Sequence, residues 1–335
     1  MRQMIHDSLT TVTIALCLAA NAADTGHAEV PPAPPGYATE DDVKMAFAAG
    51  KIKPIDVTID LPETVTLQRN IEYGKGGDHG LQLDLYAPKQ HPQPLPVVLF
   101  IHGGAWKSGY RQIYHYYCVK FAEHGYIAAT ASYRLSGEAK FPAAVEDVKC
   151  AVRFLRANAE KYGIDPNKIG VAGGSAGGHL SMMIGYSSDV PELDGKGGNA
   201  DTSSRVQAVV DLYGPTDLTT DFAKSSGEVR AFLGKKYDEA PDAYKLASPI
   251  THVTKDDPPT LILHGSIDST VPIEQAERLV AKCKEVGIEC DYDRVEGWPH
   301  TMDLDTNVNR HCMAKMFEFF DKHLGTPRKS ASETK

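Results

Sequence analysis

The chain predicts an α/β protein built on one doubly wound, mostly parallel sheet with antiparallel first strands. Three observations lead there. Two strand patterns, 64–73 and 81–86, flank a glycine-rich turn at 74–80, the mark of an antiparallel pair. Further strand-like runs follow at 96–101, 126–133, 168–172, 206–213, 260–264 and 291–295, and the first of them (PVVLFI) is apolar throughout, as a strand buried on both faces is. Helical periodicities at 113–124, 143–162, 176–186, 273–286 and 309–323 separate those runs, and repeated strand–helix units make a parallel sheet covered on both sides.

Taken in order, residues 1–22 read as a secretion signal. Arg2 is a thin positive start, 9–20 (LTTVTIALCLAA) a short apolar core, and Ala20-Asn21-Ala22 a small-x-small cleavage site. The apolar stretch is too short to span a bilayer, so a secreted or periplasmic location is expected and stable membrane insertion is not. Cys17 follows Leu16, where lipoprotein processing wants a small residue, which argues against a lipid anchor. Residues 23–60 are expected to be a linker and a first helix: Val30-Pro31-Pro32-Ala33-Pro34-Pro35 has the composition of a semi-rigid spacer, and 41–52 carries a short helical pattern. One domain is expected over 61–325, with a tail at 326–335.

Two stretches break the rhythm inside that domain. Residues 187–204 are polar and glycine-rich, a surface loop. Residues 216–253 fall between two core strands and carry helical pieces such as 227–233. An insertion there sits above the carboxyl ends of the strands, where open α/β sheets bind ligands, so it is a candidate small cap.

Composition narrows the partners. The formal net charge is −9 and no run of Lys or Arg forms a basic stripe, which argues against a nucleic-acid partner. Oligomeric state leaves no signature. Without the signal, the cysteines are Cys118, Cys150, Cys283, Cys290 and Cys312, an odd set with no CxxC spacing, so no metal site is expected. Most fall on apolar faces, where cysteine acts as a small hydrophobe. Cys283 with Cys312, on two neighbouring late helices, is the disulfide to test first.

The strongest motif is Gly173-Gly174-Ser175-Ala176-Gly177, a G-x-S-x-G between a strand and a helix. A sharp strand-to-helix turn holds such a serine in a strained backbone conformation. The flanking glycines remove side chains that would clash, so the hydroxyl projects above the sheet and the helix N-terminus behind it favours developing negative charge. This context marks Ser175 as a nucleophile on an α/β-hydrolase fold. His102-Gly103-Gly104-Ala105-Trp106 directly follows the apolar strand. Its Gly103 and Gly104 N–H groups, with that of Ala176, form an expected oxyanion hole. His102 reads as part of that turn's scaffold, and Trp106 either lines a pocket or packs under the loop.

A serine needs a base oriented by a third group, and this fold supplies the acid after its seventh strand and the histidine after its eighth. The run 261–268 (LILHGSID) ends in Asp268, and Glu296-Gly297-Trp298-Pro299-His300 follows the next strand. The expected triad is therefore Ser175, Asp268 and His300. Asp303 and Asp305 lie closer to His300 in sequence but belong to its own loop. His179 and His264 sit beside these motifs on core-facing elements and read as satisfied structural histidines.

Together HGGAW, Ser132-Tyr133-Arg134-Leu135, GGSAGGH, the run 211–218 (DLYGPTDL) and HGSIDSTVP resemble bacterial esterases related to feruloyl and acetyl xylan esterases. More loosely they resemble carboxylesterases of the hormone-sensitive-lipase group, although Ala105 stands where that group usually has a third Gly. The resemblance covers about residues 65 to 325. It implies a small-molecule or polysaccharide ester as substrate, small acyl groups on carbohydrate or aryl alcohols, and no metal or organic cofactor. A feruloyl ring could stack on Tyr110, Tyr114 or Tyr117, with Trp106, Tyr110 and Tyr114 the candidate substrate contacts, though an aromatic stripe at helical spacing is more often core. Two rival functions use the same residues or the same fold: an amide or peptide hydrolase, and a catalytically inactive binding protein. The absence of a propeller or long gating segment disfavours an oligopeptidase, and the intact motif set disfavours an inactive protein.

Overall fold

Eight strands form one sheet: β1 (Val65–Gly76), β2 (His79–Pro88), β3 (Leu95–Ile101), β4 (Ile127–Ala131), β5 (Ile164–Gly174), β6 (Ala208–Leu212), β7 (Thr260–Gly265) and β8 (Cys290–Val295). Their order is β1-β2-β4-β3-β5-β6-β7-β8. β2 runs antiparallel to β1 and β4, and every other pairing is parallel. The computed structural model describes residues 30–91 and 94–325. The expected signal sequence at 1–22 and tail at 326–335 lie outside them. The helices are α1 (Glu40–Ala48), α2 (His115–His124), α3 (Ala143–Ala157), α4 (Ala159–Tyr162), α5 (Ala176–Tyr186), α6 (Asp221–Ser225), α7 (Gly227–Leu233), α8 (Pro241–Leu246), α9 (Glu274–Val286) and α10 (Thr306–Leu324). This is the α/β-hydrolase fold.

The alternation of β3 explains the layers. Val97, Leu99 and Ile101 point into one core with Val148 of α3, Leu180 of α5 and Leu279 of α9. Val98 and Phe100 point into the other with Phe121 of α2 and Met316 and Phe320 of α10. A strand buried on both faces must be apolar at every position, and each such side chain contributes about 1.5–3 kcal/mol on burial.

Local chemistry moves several boundaries. The glycine-rich turn shrinks to Gly77-Asp78, because β1 and β2 stay paired out to Gly76 and His79. The helix expected over 143–162 breaks at Asn158, whose side-chain amide and backbone N–H both donate to the Phe154 carbonyl, at 2.9 and 3.0 Å. The first helix ends at Ala48, before Gly50 in the left-handed region. The proline-rich spacer does not stand away from the body. Its carbonyls have no internal partners, and Pro31 O accepts from His311 Nδ1 at 2.7 Å while Pro34 O accepts from the Trp298 indole at 3.1 Å.

The disulfide singled out above is corrected. Cys283 on α9 belongs to one core and Cys312 on α10 to the other, so the sheet stands between them. All five described cysteines are free thiols. Cys283 instead neighbours Cys290 on β8, which lowers its thiol pKa.

Candidate active site

The parallel strands bring the loops after β3, β5, β7 and β8 to one end of the sheet. Ser175 occupies the turn from β5 into α5 with φ +57° and ψ −122°, a region a non-glycine residue enters only when its surroundings force it. Gly177 shows what forces it. A Cβ there would stand 1.9 Å from the Ile101 carbonyl oxygen, so helix and strand can approach only with glycine at that position. The Ser175 N–H donates to Leu212 O at 2.8 Å, tying the turn to β6.

His300 Nε2 lies 3.0 Å from Ser175 Oγ, and His300 Nδ1 lies 2.6 Å from Asp268 Oδ2. Asp268 is buried. Its Oδ1 accepts the Thr270 and Val271 N–H groups, each at 2.8 Å. Burial acts to raise the Asp268 carboxyl, but hydrogen bonds from His264 and His300 outweigh it and hold the group below its usual range. An ionised carboxylate only accepts, so His300 Nδ1 carries the proton and donates. That leaves the Nε2 lone pair facing the Ser175 hydroxyl. The acid and histidine loops are joined directly, by Ser266 N–H to Val295 O at 3.0 Å, Ile267 N–H to Trp298 O at 3.2 Å and Gly297 N–H to Ser266 Oγ at 2.8 Å.

His264 differs from expectation. Its Nε2 faces Val271 O at 2.9 Å and Asp268 Oδ2 at 3.3 Å, so it touches the same carboxylate as His300. Its buried Nδ1 has no hydrogen-bond partner among the described residues. His179 is fully satisfied: Nδ1 accepts the Trp106 indole at 3.2 Å and Nε2 donates to Ala247 O at 2.8 Å. Asp303 and Asp305 face elsewhere. Buried Asp303 accepts the Tyr117 and Tyr213 hydroxyls, and Asp305 caps α10.

Gly103 packs directly against the Ser175 turn, and a Cβ built on it would come within 3.4 Å of Ser175 Cβ. The loop closes on itself through Gly104 O, which accepts the Lys107 and Ser108 N–H groups, each at 3.0 Å. His102 braces it: Nδ1 meets Gly103 O at 2.8 Å, and the ring stacks on Tyr133 at 4.4 Å. Ala176 is the first residue of α5, where backbone N–H groups lack intrahelical partners.

Two of the proposed substrate contacts are corrected. Trp106 is 3% exposed, stacked on Phe232 of α7 at 4.5 Å. It packs under the loop because an apolar partner and an acceptor for its N–H are both available there. Tyr114 is 5% exposed and stacks on Phe100 beneath the Ser175 turn. Tyr117 is likewise core. Tyr110, at 61% exposure, alone of these aromatics faces solvent. A residue not singled out above for the site is Tyr213, whose ring meets His300 edge-on at 4.7 Å. Its position just past the end of β6, beside β5, was the available signal. Among the described residues no group of His, Cys, Asp or Glu side chains is placed to hold a metal ion, and no helix is long and apolar enough to cross a membrane.

Known esterases share this fold. Esterase LipC of Mycobacterium tuberculosis is 32% identical over 290 residues, covering 80% of this chain and 71% of that protein. The truncated form of a carbohydrate esterase from gut microbiota is 32% identical with a TM-score of 0.70, covering 81% of this chain and 99% of that one. Thermogutta terrifontis esterase 2, solved with propionate bound, is 26% identical with a TM-score of 0.68, covering 83% of this chain and all of its own. The chain is thus a carboxylic ester hydrolase of the α/β-hydrolase fold. Within that class it belongs to the BD-FAE family, whose match spans residues 83–283.

Proposed function

We propose that this esterase releases short acyl groups by two-step acyl transfer, with Ser175 as nucleophile, His300 as base and Asp268 as the group that orients the imidazole. The observation that carries the reading is the unbroken line Ser175 Oγ, His300, Asp268 at 3.0 and 2.6 Å. His300 Nε2 takes the Ser175 proton as Oγ attacks the ester carbonyl, and Asp268 stabilises the imidazolium. The N–H groups of Gly103, Gly104 and Ala176 receive the oxyanion, each such donor being worth about 10²–10³ in rate. His300 then protonates the leaving alcohol, and a water deprotonated by the same imidazole frees Ser175.

Acetyl or feruloyl esters of plant-type polysaccharide are the substrates this reading favours. Its support is the family and the similarity to a carbohydrate esterase, while the propionate in the Thermogutta enzyme supports a short acyl group. Among the aromatics that follow the Gly103-Gly104 loop, this reading assigns exposed Tyr110 to an aryl ester. A polysaccharide substrate also fits the secreted or periplasmic location read from residues 1–22.

The test is a panel of p-nitrophenyl esters from acetyl to dodecanoyl with acetylated xylan and methyl ferulate, run on wild type and Ser175→Ala. Wild type is expected to favour acetyl and butyryl esters, Ser175→Ala to be folded and inactive, and a fluorophosphonate to label Ser175. Turnover by Ser175→Ala, or labelling of another serine, overturns the mechanism; a preference for dodecanoyl esters overturns the acyl assignment.

A further inference from the structure

We propose that residues 31–59 are a positioning strap for the catalytic loops, a role that rests on the assignment of Ser175, Asp268 and His300 above. The segment lies outside residues 83–283, which the family match spans.

His300 sits between the end of β8 at Val295 and the start of α10 at Thr306, and Thr301 beside it is left-handed at φ +58°. His300 itself lies in neither a strand nor a helix, so the place of its imidazole depends on what holds the loop. The strap holds both shoulders of this loop. Before His300, Tyr37 N–H donates to Gly297 O at 2.8 Å, and the Tyr37 ring meets Trp298 edge-on at 5.6 Å. The crossing is backbone on backbone. A Cβ on Gly36 would stand 2.1 Å from Glu296 O, and one on Gly297 would stand 2.5 Å from Tyr37 N. After His300, Ile55 N–H donates to Leu304 O and Thr306 N–H to Lys53 O, both at 2.8 Å.

The acid loop is held by the same segment. Glu40 Oε1 accepts the N–H and hydroxyl of Ser269, the residue after Asp268, at 3.0 and 2.7 Å. Glu40 is itself placed as the first residue of α1, which Thr39 and Asp42 close with reciprocal caps. One segment therefore grips the loops of both partners that must align on Ser175. Ala33, Tyr37, Ile52, Ile55 and Ile59 pack only at the margin of the core, so loosening the strap leaves the sheet intact. Misplacement of a reacting group by 1 Å can cost about 10²-fold in rate.

The test uses the full chain with Gly36→Ala, Glu40→Ala and Glu40→Gln, kcat and KM measured on one acetyl ester and folding checked by circular dichroism. Gly36→Ala drives a methyl into the Glu296 carbonyl and is expected to lower kcat by about 10- to 100-fold with KM within about twofold. Glu40→Ala is expected to lose about tenfold in kcat, and Glu40→Gln, which keeps an acceptor for the Ser269 N–H, to recover most of it. Fluorophosphonate labelling of Ser175 should slow in step. Folded variants with wild-type kcat, or a rise in KM alone, overturn the strap; if Gly36→Ala does not fold, the two Glu40 variants decide. Failure of the underlying triad looks different, since Ser175→Ala would then keep its activity.

Discussion

Asp268 and His300 meet through a single 2.6 Å contact, Oδ2 to Nδ1, while the other carboxylate oxygen is occupied by two backbone N–H groups. An amide at 268 can turn its NH2 toward His300 and so favour the wrong tautomer. Asp268→Asn is expected to lower kcat by roughly 10³ to 10⁴-fold. Asp305→Asn keeps a good helix cap and should stay near wild type. Asp303→Asn weakens the hydroxyl contacts beneath His300 and is expected to lose less than about tenfold, since it leaves the triad in place. Steady-state kinetics on one acetyl ester ranks the three, and a larger loss at Asp303 or Asp305 would reassign the acid.

Trp106 and Tyr110 should part company. Trp106→Ala removes a buried ring from between the loop and α7 and is expected to destabilise by about 3–5 kcal/mol. Tyr110→Ala, at an exposed site, should change stability by no more than about 0.5 kcal/mol. It should raise KM for methyl ferulate while leaving that for an acetyl ester alone. Urea midpoints and paired KM values separate the two, and equal destabilisation would refute the placement of either ring.

His179 carries a pH signature. Burial pulls its pKa down to about 4, against 6.5 for the unfolded chain. Between those values the unfolded state binds the extra proton, so stability falls as pH drops from 6.5 toward 4 and the loss is complete below about 4. The contribution is on the order of 3 kcal/mol. Gln at 179 carries a donor and an acceptor but does not titrate, so His179→Gln should flatten that part of the curve. Parallel slopes in urea titrations from pH 7 to pH 4 would count against it.

The contact between Cys283 and Cys290 sets a redox expectation. Neighbouring Cys290 lowers the Cys283 thiol, and thiolate is the species that exchanges. Mild oxidation with diamide should join Cys283 to Cys290 within one chain, read as a cross-linked peptide by mass spectrometry. A Cys283–Cys312 peptide from folded protein would contradict the separation of those residues by the sheet.

The central strands β3, β4, β6 and β7 were legible because burial on two faces demands apolar runs, which no turn or exposed helix imitates. Each expected run lies on a strand, with shifts at the strand ends, while the helix expected over 143–162 divides at Asn158. The loops of Ser175, Asp268 and His300 were legible for a related reason, since each follows a strand whose end the pattern marks. Trp106 was not, because an indole beside a cavity and one beneath a loop leave the same trace in sequence. Only the arrival of Phe232 from the insertion places it.

By itself, then, the sequence determined the sheet, the strained turn at Ser175 and the chain order of its partners, all properties of local conformation and burial. The tertiary structure alone decided that Cys283 faces Cys290, that Tyr213 lies against His300, and that a proline-rich segment grips the His300 loop. Pro34 and Trp298 are 264 residues apart. A carbonyl without a helical or sheet partner will accept from whichever donor the fold delivers to it. The order in which the strands cross settles which donor that is.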